Sequence, residues 1–355
     1  MKILFLVPYP YDEAASQRFR FEEYFSVLEE HQIDYDYHSF LDAETWRILY
    51  AKGYVFKKIL GIASGFIRRI YSAIISVRYD YVFVHREVTP IGPPIFEWII
   101  SKILKRKIIY DFDDAIWMVD KGTTNHVMQW LKNYGKIGKI CQWSDKVSCG
   151  NQYLATYAKQ FNKTVVINPT TIDTINKHIP IKKNNKIPII GWTGTHSTNK
   201  YLQLLKPTIS RLSVQYQFRF IVISNEKPSL DLINMEFIEW NKDTEIDDLN
   251  LIDIGLMPLR DDEWAKGKCG FKALQYMSLE IPALVSPVGV NNEIITHGEE
   301  GYHCGSDEDW FTYIALLLEN PDLRYQMGIK GRKKIERKYS VLSNSQNFLN
   351  LFSYN

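Results

Sequence analysis

The stretch KCGFKALQYMSLEIPALVSPVGVN, residues 268–291, contains the pattern that decides the fold of this chain. Apolar residues recur at helical spacing in FKALQYM, which predicts a helix. The run ALVS, residues 283–286, predicts a short buried strand, and PVGVN is then the loop at the carboxyl end of that strand. A helix that leads directly into a buried strand is typical of α/β proteins.

The same alternation of short apolar runs and helix-length segments extends along the whole chain. Apolar runs without strict period-two alternation predict parallel strands that helices cover on both faces. In the first half these runs are residues 3–8, 81–85, 107–112, 146–149 and 165–167, and in the second half 189–192, 219–223, 236–240, 252–257 and 283–286. The sequence therefore predicts two doubly wound α/β domains.

The length of 355 residues also favours two domains, since a domain typically has ~150 residues. The segment KHIPIKKNNKIP, residues 177–188, is polar and basic and contains two prolines, which predicts an exposed linker. We therefore expect domains at residues 1–176 and 189–338. Residues 339–355 are then a C-terminal tail, for which a return to the first domain is one option.

The composition is that of a packed globular protein. Hydrophobic residues make up 45% of the chain and charged residues 24%. The formal net charge of +2 provides no global field for a nucleic-acid partner, and we expect none. The four cysteines show no CxxC spacing, which favours free thiols in a reducing compartment and a cytoplasmic location.

An apolar stretch at residues 54–78 contains two basic pairs, Lys57 with Lys58 and Arg68 with Arg69. The pairs are eleven residues apart, close to three helical turns, so we expect them to share one face of a helix. No uncharged span of ~20 residues exists here, and we expect no transmembrane helix. A basic amphipathic helix would suit peripheral contact with the inner face of the cytoplasmic membrane. The alternative is a domain helix with solvated lysines.

The segment IPIIGWTGTHSTNKYL begins the second predicted domain with a buried strand and a turn. Gly191 and Gly194 would let the backbone approach an anion closely, and Thr195 would donate a hydroxyl hydrogen bond. The N-terminus of the following helix would add unpaired N–H groups. This arrangement predicts a phosphate cradle, and the alternative is an ordinary strand-to-helix turn with a Ser or Thr cap.

Polar side chains accompany the helix and loop of residues 268–291. Lys268 and Lys272 are four residues apart, so on the start of a helix they would project from the same side and could neutralise a diphosphate. Gln275 lies three residues further along. The following loop would offer backbone amides to another phosphate, at Val288, Gly289, Val290 and Asn291. The alternative is a solvated lysine face on an amphipathic helix.

Two polar clusters follow strands of the first predicted domain. His85 and Arg86 form one, and Asp111 and Asp113 form the other, where alternation along an extended chain predicts that both carboxylates lie on the same side. A carboxylate or His85 could orient or deprotonate an acceptor hydroxyl. The alternative is a helix cap and an ion pair between Arg86 and a carboxylate.

Several of these motifs resemble those of the GT-B fold glycosyltransferases of family four, the glycosyl transferases group 1 type. The stretch IPALVSPVGVN resembles the donor-binding region of the retaining enzymes of that family. A bacterial branch is similar in three further motifs, which occur here as DFDDAIW at residues 111–117, WTG at 192–194 and FKALQYM at 271–277. The resemblance implies two Rossmann-like domains that face each other across a cleft. The first would bind an acceptor and the second a nucleotide sugar.

The resemblance also implies roles for site residues. The wider family has two glutamates eight positions apart, which contact the donor sugar and the nucleotide ribose. Here Gly267 and Gln275 stand at these positions. Gln275 can still hydrogen-bond ribose hydroxyls, whereas Gly267 has no side chain. The first loop, with Ser16 and Arg18, would face donor phosphates or acceptor, although a surface helix start is an equal alternative.

The function that the resemblance implies is transfer of a sugar in bacterial surface polysaccharide or glycan synthesis, with retention of configuration. The donor would be a nucleoside diphosphate sugar of the UDP or GDP type, and the acceptor a saccharide or a polyprenyl-linked molecule. We expect no cofactor and no metal, because enzymes of this type neutralise the leaving diphosphate with cationic side chains and helix dipoles. The alternatives are a nucleotide-sugar 2-epimerase and a catalytically silent GT-B partner subunit.

Overall fold

The computed structural model describes residues 1–49, 51–118, 132–182, 185–230, 232 and 235–353. The chain divides into two compact units, Met1–Thr170 with Asn344–Asn355 and Thr171–Ser343. Within the described residues each unit contains one parallel sheet of six strands. The prediction of two doubly wound α/β domains is confirmed.

The sheet of the first unit has the strand order β2-β1-β3-β4-β5-β6. Its strands are β1 Lys2–Val7, β2 Asp34–Ser39, β3 Tyr81–His85, β4 Lys107–Phe112, β5 Lys146–Cys149 and β6 Val165–Ile167. Five of them coincide with predicted apolar runs. The sequence did not predict β2, because this edge strand is only partly buried and its residues DYDYHS form no apolar run.

Helices cover this first sheet. They are α1 Ala15–Arg18, α2 Phe25–Glu30, α3 Ala43–Ile48, α4 Val55–Ile75, α5 Ile95–Trp98, α6 Lys136–Trp143 and α7 Gln152–Ala158. A π-helical segment, Ile99–Ile103, extends α5, and short 3₁₀ segments lie at Glu22–Tyr24 and Ser76–Arg78.

The sheet of the second unit has the strand order β12-β11-β10-β7-β8-β9. Its strands are β7 Ile189–Gly194, β8 Arg219–Ser224, β9 Met235–Glu239, β10 Ile254–Met257, β11 Ala283–Val285 and β12 Gly301–His303. The sequence did not predict β12, since its three residues GYH are too short for a recognisable run. The core of this unit packs Trp192, Phe220, Leu256 and Trp310 between the sheet and its helices.

The helices of the second unit follow a 3₁₀ segment, Asn199–Leu205. They are α8 Lys206–Gln215, α9 Glu245–Asn250, α10 Glu263–Lys266, α11 Phe271–Ser278, α12 Asn291–Ile294, α13 Asp307–Glu319 and α14 Pro321–Lys338. Helix α15, Val341–Leu349, and a final 3₁₀ segment, Asn350–Phe352, then lead the chain back into the first unit.

The chain enters the second unit after Thr170, before the segment 177–188 that we predicted as the linker. Arg332 of α14 donates hydrogen bonds of 2.6 Å to the carbonyl oxygens of Thr174 and His178. These bonds hold Thr174, ahead of the predicted linker, and His178, within it, on the second unit. Proline and lysine content indicates an exposed segment, but it does not show to which unit a segment belongs.

Helix α4 does not present all four basic side chains of residues 54–78 on one exposed face. Arg69 is fully buried and donates to the carbonyl oxygens of Val7, His38 and Val88. Arg68 is partly buried and donates to Asp42 at 3.2 Å. A helix turns about 100° per residue, so neighbouring arginines point in different directions. By length and composition alone, Val55–Arg78 would be able to cross a membrane, and 33% of its most apolar window is buried in the structure.

The C-terminal segment packs into the core of the first unit through Phe348. This side chain is fully buried and stacks on Tyr24, with ring centroids 4.3 Å apart. Its ring also lies near Phe83 and Phe352. Lys146 of β5 adds a hydrogen bond of 2.6 Å to the carbonyl oxygen of Asn350.

We predict that Phe348→Ala lowers the free energy of unfolding of the first unit by about 3–5 kcal/mol, because it removes a buried aromatic ring and leaves a cavity. Urea denaturation of the full chain, followed by fluorescence, measures this loss. Leu342→Ala is the matched control, since Leu342 is 68% exposed on the same helix, and its effect should stay within about 0.5 kcal/mol. Equal midpoints for the two variants would contradict the packing described above.

Candidate functional site

The first unit brings four polar side chains together where its strands end. In the register of the sheet, His85 on β3 pairs with Asp111 on β4, and Asp111 pairs with Ser148 on β5. Parallel strands place their carboxyl ends at one edge, which explains why residues far apart in sequence meet here. His85 Nδ1 lies 2.8 Å from Asp111 Oδ2, and Ser148 Oγ donates to Asp111 Oδ1 at 2.6 Å.

Arg20 completes this buried cluster. Its guanidinium forms a two-point contact with the Asp111 carboxylate and also donates to the carbonyl oxygen of Asn168, beyond β6. All four side chains, including His85 and Ser148, are fully buried. Burial alone would raise the pKa of Asp111, but the charge of Arg20 and the hydrogen bonds from His85 and Arg20 outweigh it and hold the pKa well below its ordinary value.

Arg86 joins the second carboxylate pair to the same strand end. Its backbone has a φ of 58°, in the left-handed region, and its N–H donates to the carbonyl oxygen of Asp111 at 2.7 Å. The guanidinium contacts Asp113 at 2.8 Å and Asp114 at 3.2 Å. Burial opposes the charge of Arg86, yet these two carboxylates outweigh it and raise the pKa of Arg86 above its ordinary value.

His85 lies between the two predicted carboxylates. Its Nδ1 contacts Asp111, while its Nε2 lies 3.9 Å from Asp113 Oδ1 and has no hydrogen-bond partner among the residues that the structure describes. Because Asp111 is ionised, the Nδ1 atom carries the proton, and Nε2 of a neutral ring is left as an acceptor. The geometry therefore suits a histidine that accepts a proton or a hydrogen bond from a hydroxyl.

The first loop leads directly into helix α1. Ser16 and Arg18 lie on α1, and the guanidinium of Arg18 is buried 4.9 Å over the Phe19 ring. Arg20, which was not among the predicted site residues, is the arginine that reaches Asp111. Residue type alone does not distinguish the two arginines, since only the direction of each side chain determines its partner.

Two arginines form ion pairs with carboxylates of the DFDD motif. Asp111 binds Arg20, and Asp113 binds Arg86. Among the described residues there is no group of three or more His, Cys, Asp or Glu side chains placed to hold a metal ion. The Asp-x-Asp spacing is therefore accounted for by ion pairs within the first unit.

In the second unit, side-chain oxygens accept hydrogen bonds from the backbone N–H groups of the loop after β7. The N–H of Thr195 donates to Thr198 Oγ1 at 3.0 Å, and the N–H of His196 donates to Asn225 Oδ1 at 2.9 Å. Gly194 lies against the Trp192 ring, where a Cβ atom would come within 2.3 Å of a ring carbon. Hydroxyl groups thus stabilise this turn, and the phosphate cradle stays a prediction.

The two predicted lysines do not share a helix. Helix α11 begins at Phe271, and Gly270 before it has a left-handed φ of 69° that breaks the helical path. The prediction of a common helical face is therefore wrong, because Lys268 lies outside the helix. Lys268 Nζ lies 5.8 Å from the Trp264 ring centroid, and Lys272 Nζ lies 5.6 Å from that of Trp192.

Tight packing brings the start of α11 and the loop after β11 together. A Cβ atom on Gly270 would lie 3.3 Å from both Asn291 Oδ1 and Val290 Cγ1. Gly289 has a φ of 55°, and a Cβ atom there would lie 2.9 Å from the carbonyl oxygen of Lys266. Four predicted site positions, Lys272, Gly289, Val290 and Asn291, are thus in or beside loops that contact each other.

Three predicted donor-binding residues of the second unit are buried. Val288 and Asn291 are buried, and Asn291 Nδ2 donates to the carbonyl oxygen of Ser286 at 3.0 Å. Gln275 is 2% exposed, and its amide donates to Glu245 Oε1 on α9 at 3.2 Å. The sequence pattern identified Gln275 but not its partner, because Glu245 lies thirty residues earlier on another helix.

Comparison with protein families finds one matching model. Residues 187–320, all within the second unit, match the family described as Glycosyl transferases group 1. These residues include β7, both lysines and the loop after β11. No curated protein matches the sequence.

Solved structures resemble the whole chain. Sucrose-phosphate synthase from Thermosynechococcus elongatus has a TM-score of 0.70 at 11% identity, with 99% of this chain and 98% of that chain covered. Anabaena HepE in complex with UDP-glucose has a TM-score of 0.65 at 13% identity, with 99% and 98% covered. A glycosyltransferase from Rickettsia africae has a TM-score of 0.63 at 12% identity, with 99% and 97% covered. At such identities the likeness shows the fold, and the predicted GT-B fold is confirmed.

We predict that Asp111→Asn lowers the free energy of unfolding by about 3–5 kcal/mol at neutral pH, because it leaves the buried Arg20 without its counter-ion. The difference from wild type should shrink as the pH falls below about 4, since a carboxylate with a lowered pKa stabilises the fold above its unfolded-state pKa and loses that contribution on protonation. Urea denaturation at a series of pH values measures both effects.

Two controls accompany this variant. Ser148→Ala removes one hydrogen bond to Asp111 and should cost about 1 kcal/mol. Asp34→Asn replaces an exposed carboxylate and should change stability by less than about 0.5 kcal/mol. A pH-independent difference for Asp111→Asn would contradict an ionised Asp111.

Proposed function

We propose that this protein is a glycosyltransferase whose donor is a nucleoside diphosphate sugar. The observation that carries the proposal is the position of the family match, since residues 187–320 contain the contacting loops around Lys272, Gly289 and Gly270. The structure of HepE with UDP-glucose supports a donor of the UDP type for this chain. Ligands of parallel α/β sheets bind beyond the carboxyl ends of the strands, where these loops lie.

The proposed role of the two lysines is to stabilise the charge that develops on the leaving diphosphate. Each ammonium group lies beside a tryptophan ring, and Trp192 beside Lys272 is almost fully buried. Apolar surroundings strengthen an electrostatic interaction, because less water screens it. The N-terminus of α11 and the backbone of Gly289 would add N–H dipoles to the same charge.

The proposed role of Gln275 changes with its position in the structure. Its buried amide is bound to Glu245, so it holds α11 against α9 rather than contacting ribose. Gly267 provides no side chain at the other family position. Donor binding therefore rests on the lysines and on the backbone of the loops, and we propose retention of configuration without a carboxylate at either position.

In the first unit, we assign His85 and Asp113 to the acceptor hydroxyl. Asp111 fixes the ring of His85 through Nδ1, which leaves Nε2 directed toward Asp113. A histidine held in this way can accept the hydrogen bond of a hydroxyl as it attacks. The proposed acceptor is a saccharide or a polyprenyl-linked saccharide, as in bacterial glycan synthesis.

We predict that the double variant Lys268→Ala/Lys272→Ala lowers kcat/KM for sugar transfer by at least about a hundredfold, because removal of one preorganised charge-stabilising group typically costs 10²–10³ in rate. The thermal stabilisation of the protein by UDP should fall in parallel. Transfer is measured with radiolabelled UDP-glucose and GDP-mannose, and UDP and GDP are compared in thermal-shift experiments.

Lys333→Ala is the matched control, because Lys333 is an exposed lysine on α14 in the same unit. Its transfer rate and UDP-induced shift should equal those of the wild type. Undiminished turnover of the double variant would refute the role of the lysines. A wild-type chain that binds UDP without transferring or hydrolysing the sugar would be a silent partner subunit, and a product epimerised at carbon 2 would identify an epimerase.

A further inference from the structure

Helix α4 is oriented opposite to the usual amphipathic helix of a globular protein. The residues that it buries are Gly61, Gly65, Arg69, Ser72 and Ala73. Glycine, serine and arginine thus face the first unit. In a water-soluble domain, the apolar stripe of a surface helix normally faces the core instead.

Close packing fixes this orientation. A Cβ atom on Gly61 would lie 2.1 Å from Thr45 Oγ1 of α3, and one on Gly65 would lie 2.8 Å from the carbonyl oxygen of Phe40. Arg69 donates to three backbone carbonyl oxygens, and rotation of the helix would break these hydrogen bonds. The helix cannot turn its other face inward without breaking these contacts.

The outward face of α4 forms an apolar stripe of large side chains at helical spacing. Phe56 is 84% exposed, Leu60 68%, Ile67 68% and Ile74 65%. The stripe consists of Phe56, Ile59, Leu60, Ile67, Ile70 and Ile74. Its length is about 27 Å, from the helical rise of 1.5 Å per residue. A continuous apolar surface of this kind marks an interaction site, because its contact with water is unfavourable.

The charged residues of helix α4 itself are all basic. The sequence contains no Asp or Glu between Glu44 and Asp80. Lys57 lies beside the stripe, where it pairs with Glu44 at 3.1 Å, and both side chains are more than half exposed. Arg68 flanks the same side of the helix, where it pairs with the partly exposed Asp42 at 3.2 Å, and Arg78 lies just beyond the helix end. An exposed ion pair of this type contributes little to the stability of the fold, so the lysine can readily exchange its carboxylate for another anion.

Two exposed tyrosines lie near the apolar stripe. Tyr54 precedes the first turn and is 55% exposed, and Tyr71 on the same helix is 59% exposed. Tyrosine favours the boundary between headgroups and acyl chains, where its ring is apolar and its hydroxyl is hydrated. The combination of a long apolar stripe, flanking cations and exposed tyrosines matches an anionic lipid surface.

We infer that α4 lies in the surface of an anionic lipid bilayer, with the apolar stripe immersed between the headgroups and the flanking cations on phosphate. The helix lies along the membrane rather than across it, since its opposite face is packed on the first unit and contains the buried Arg69. We therefore assign lipid to this surface. This inference does not depend on the proposed glycosyltransferase activity.

The test is co-sedimentation of the full-length protein with vesicles of phosphatidylcholine and phosphatidylglycerol, compared with vesicles of phosphatidylcholine alone. Wild type should bind the anionic vesicles more strongly. The triple variant Phe56→Ser/Leu60→Ser/Ile67→Ser should bind them at least about tenfold more weakly, because three exposed apolar side chains no longer enter the bilayer. The single variant Phe56→Ser should give a smaller loss in the same direction.

The matched control replaces three exposed apolar residues elsewhere, in the variant Ile175→Ser/Val214→Ser/Leu342→Ser. These side chains are 62%, 85% and 68% exposed, so they equal the stripe residues in kind and exposure. The control should bind vesicles like the wild type. Circular dichroism and thermal unfolding verify that each variant is folded.

Four outcomes would overturn the inference. The first is wild-type protein that remains in the supernatant with both kinds of vesicle, and the second is a triple variant that sediments like the wild type. The third is a lipid-free wild-type dimer in sedimentation velocity that the triple variant abolishes, which would assign the stripe to a second copy of the chain. Bound protein should also be released by alkaline carbonate, and its retention would contradict a helix that lies along the surface.

Discussion

The buried carboxylate of Asp111 is the interaction on which the arrangement of the first unit depends. Arg20 follows α1, His85 ends β3, Ser148 lies on β5, and each contacts this one side chain. Arg20 extends the network to the backbone beyond β6 at Asn168. Removing a carboxylate and a guanidinium from water is costly, and only the full set of partners offsets that cost. The cluster therefore fixes the relative positions of strand ends that the apolar core alone would leave adjustable.

The second unit positions its corresponding loops by packing rather than by charge. Gly270 and Gly289 both have left-handed backbone, and neither position has room for a side chain against the neighbouring segment. Trp192 fills the space between Gly194 and Lys272. Dense contacts of this kind transmit small changes in volume directly to their neighbours. The backbone of these loops is consequently held in place while the lysine side chains keep partial exposure.

The sequence predicted the fold well wherever burial leaves a continuous apolar run. Strands such as β1, β3 and β4 are buried on both faces, so most of their residues are apolar and the runs are recognisable in the sequence. The edge strand β2 and the three-residue β12 lack that signal and were missed. In the site, the sequence predicted that His85, Asp111 and Asp113 lie at strand ends, and the structure brings them together because parallel strands end at one edge. The run FKALQYM predicted α11, but Lys268 was also placed on the helix start, since the left-handed Gly270 was not recognised as a break in the helical pattern.

The arginines show why the remaining contacts of the site could not be predicted from residue type alone. Arg18 and Arg69 were expected to face solvent or an anionic ligand, yet both are buried, as is Arg20. The planar guanidinium has five donors and is weakly hydrated, so it can satisfy several carbonyl and carboxylate oxygens in the interior. Arg20 and Arg69 do this for Asn168, Asp111, Val7, His38 and Val88. Lysine is a compact and strongly hydrated charge, which makes burial of this kind more costly for it. The partly exposed Lys268 and Lys272 are for that reason better placed than these arginines to meet a diphosphate that arrives from solvent.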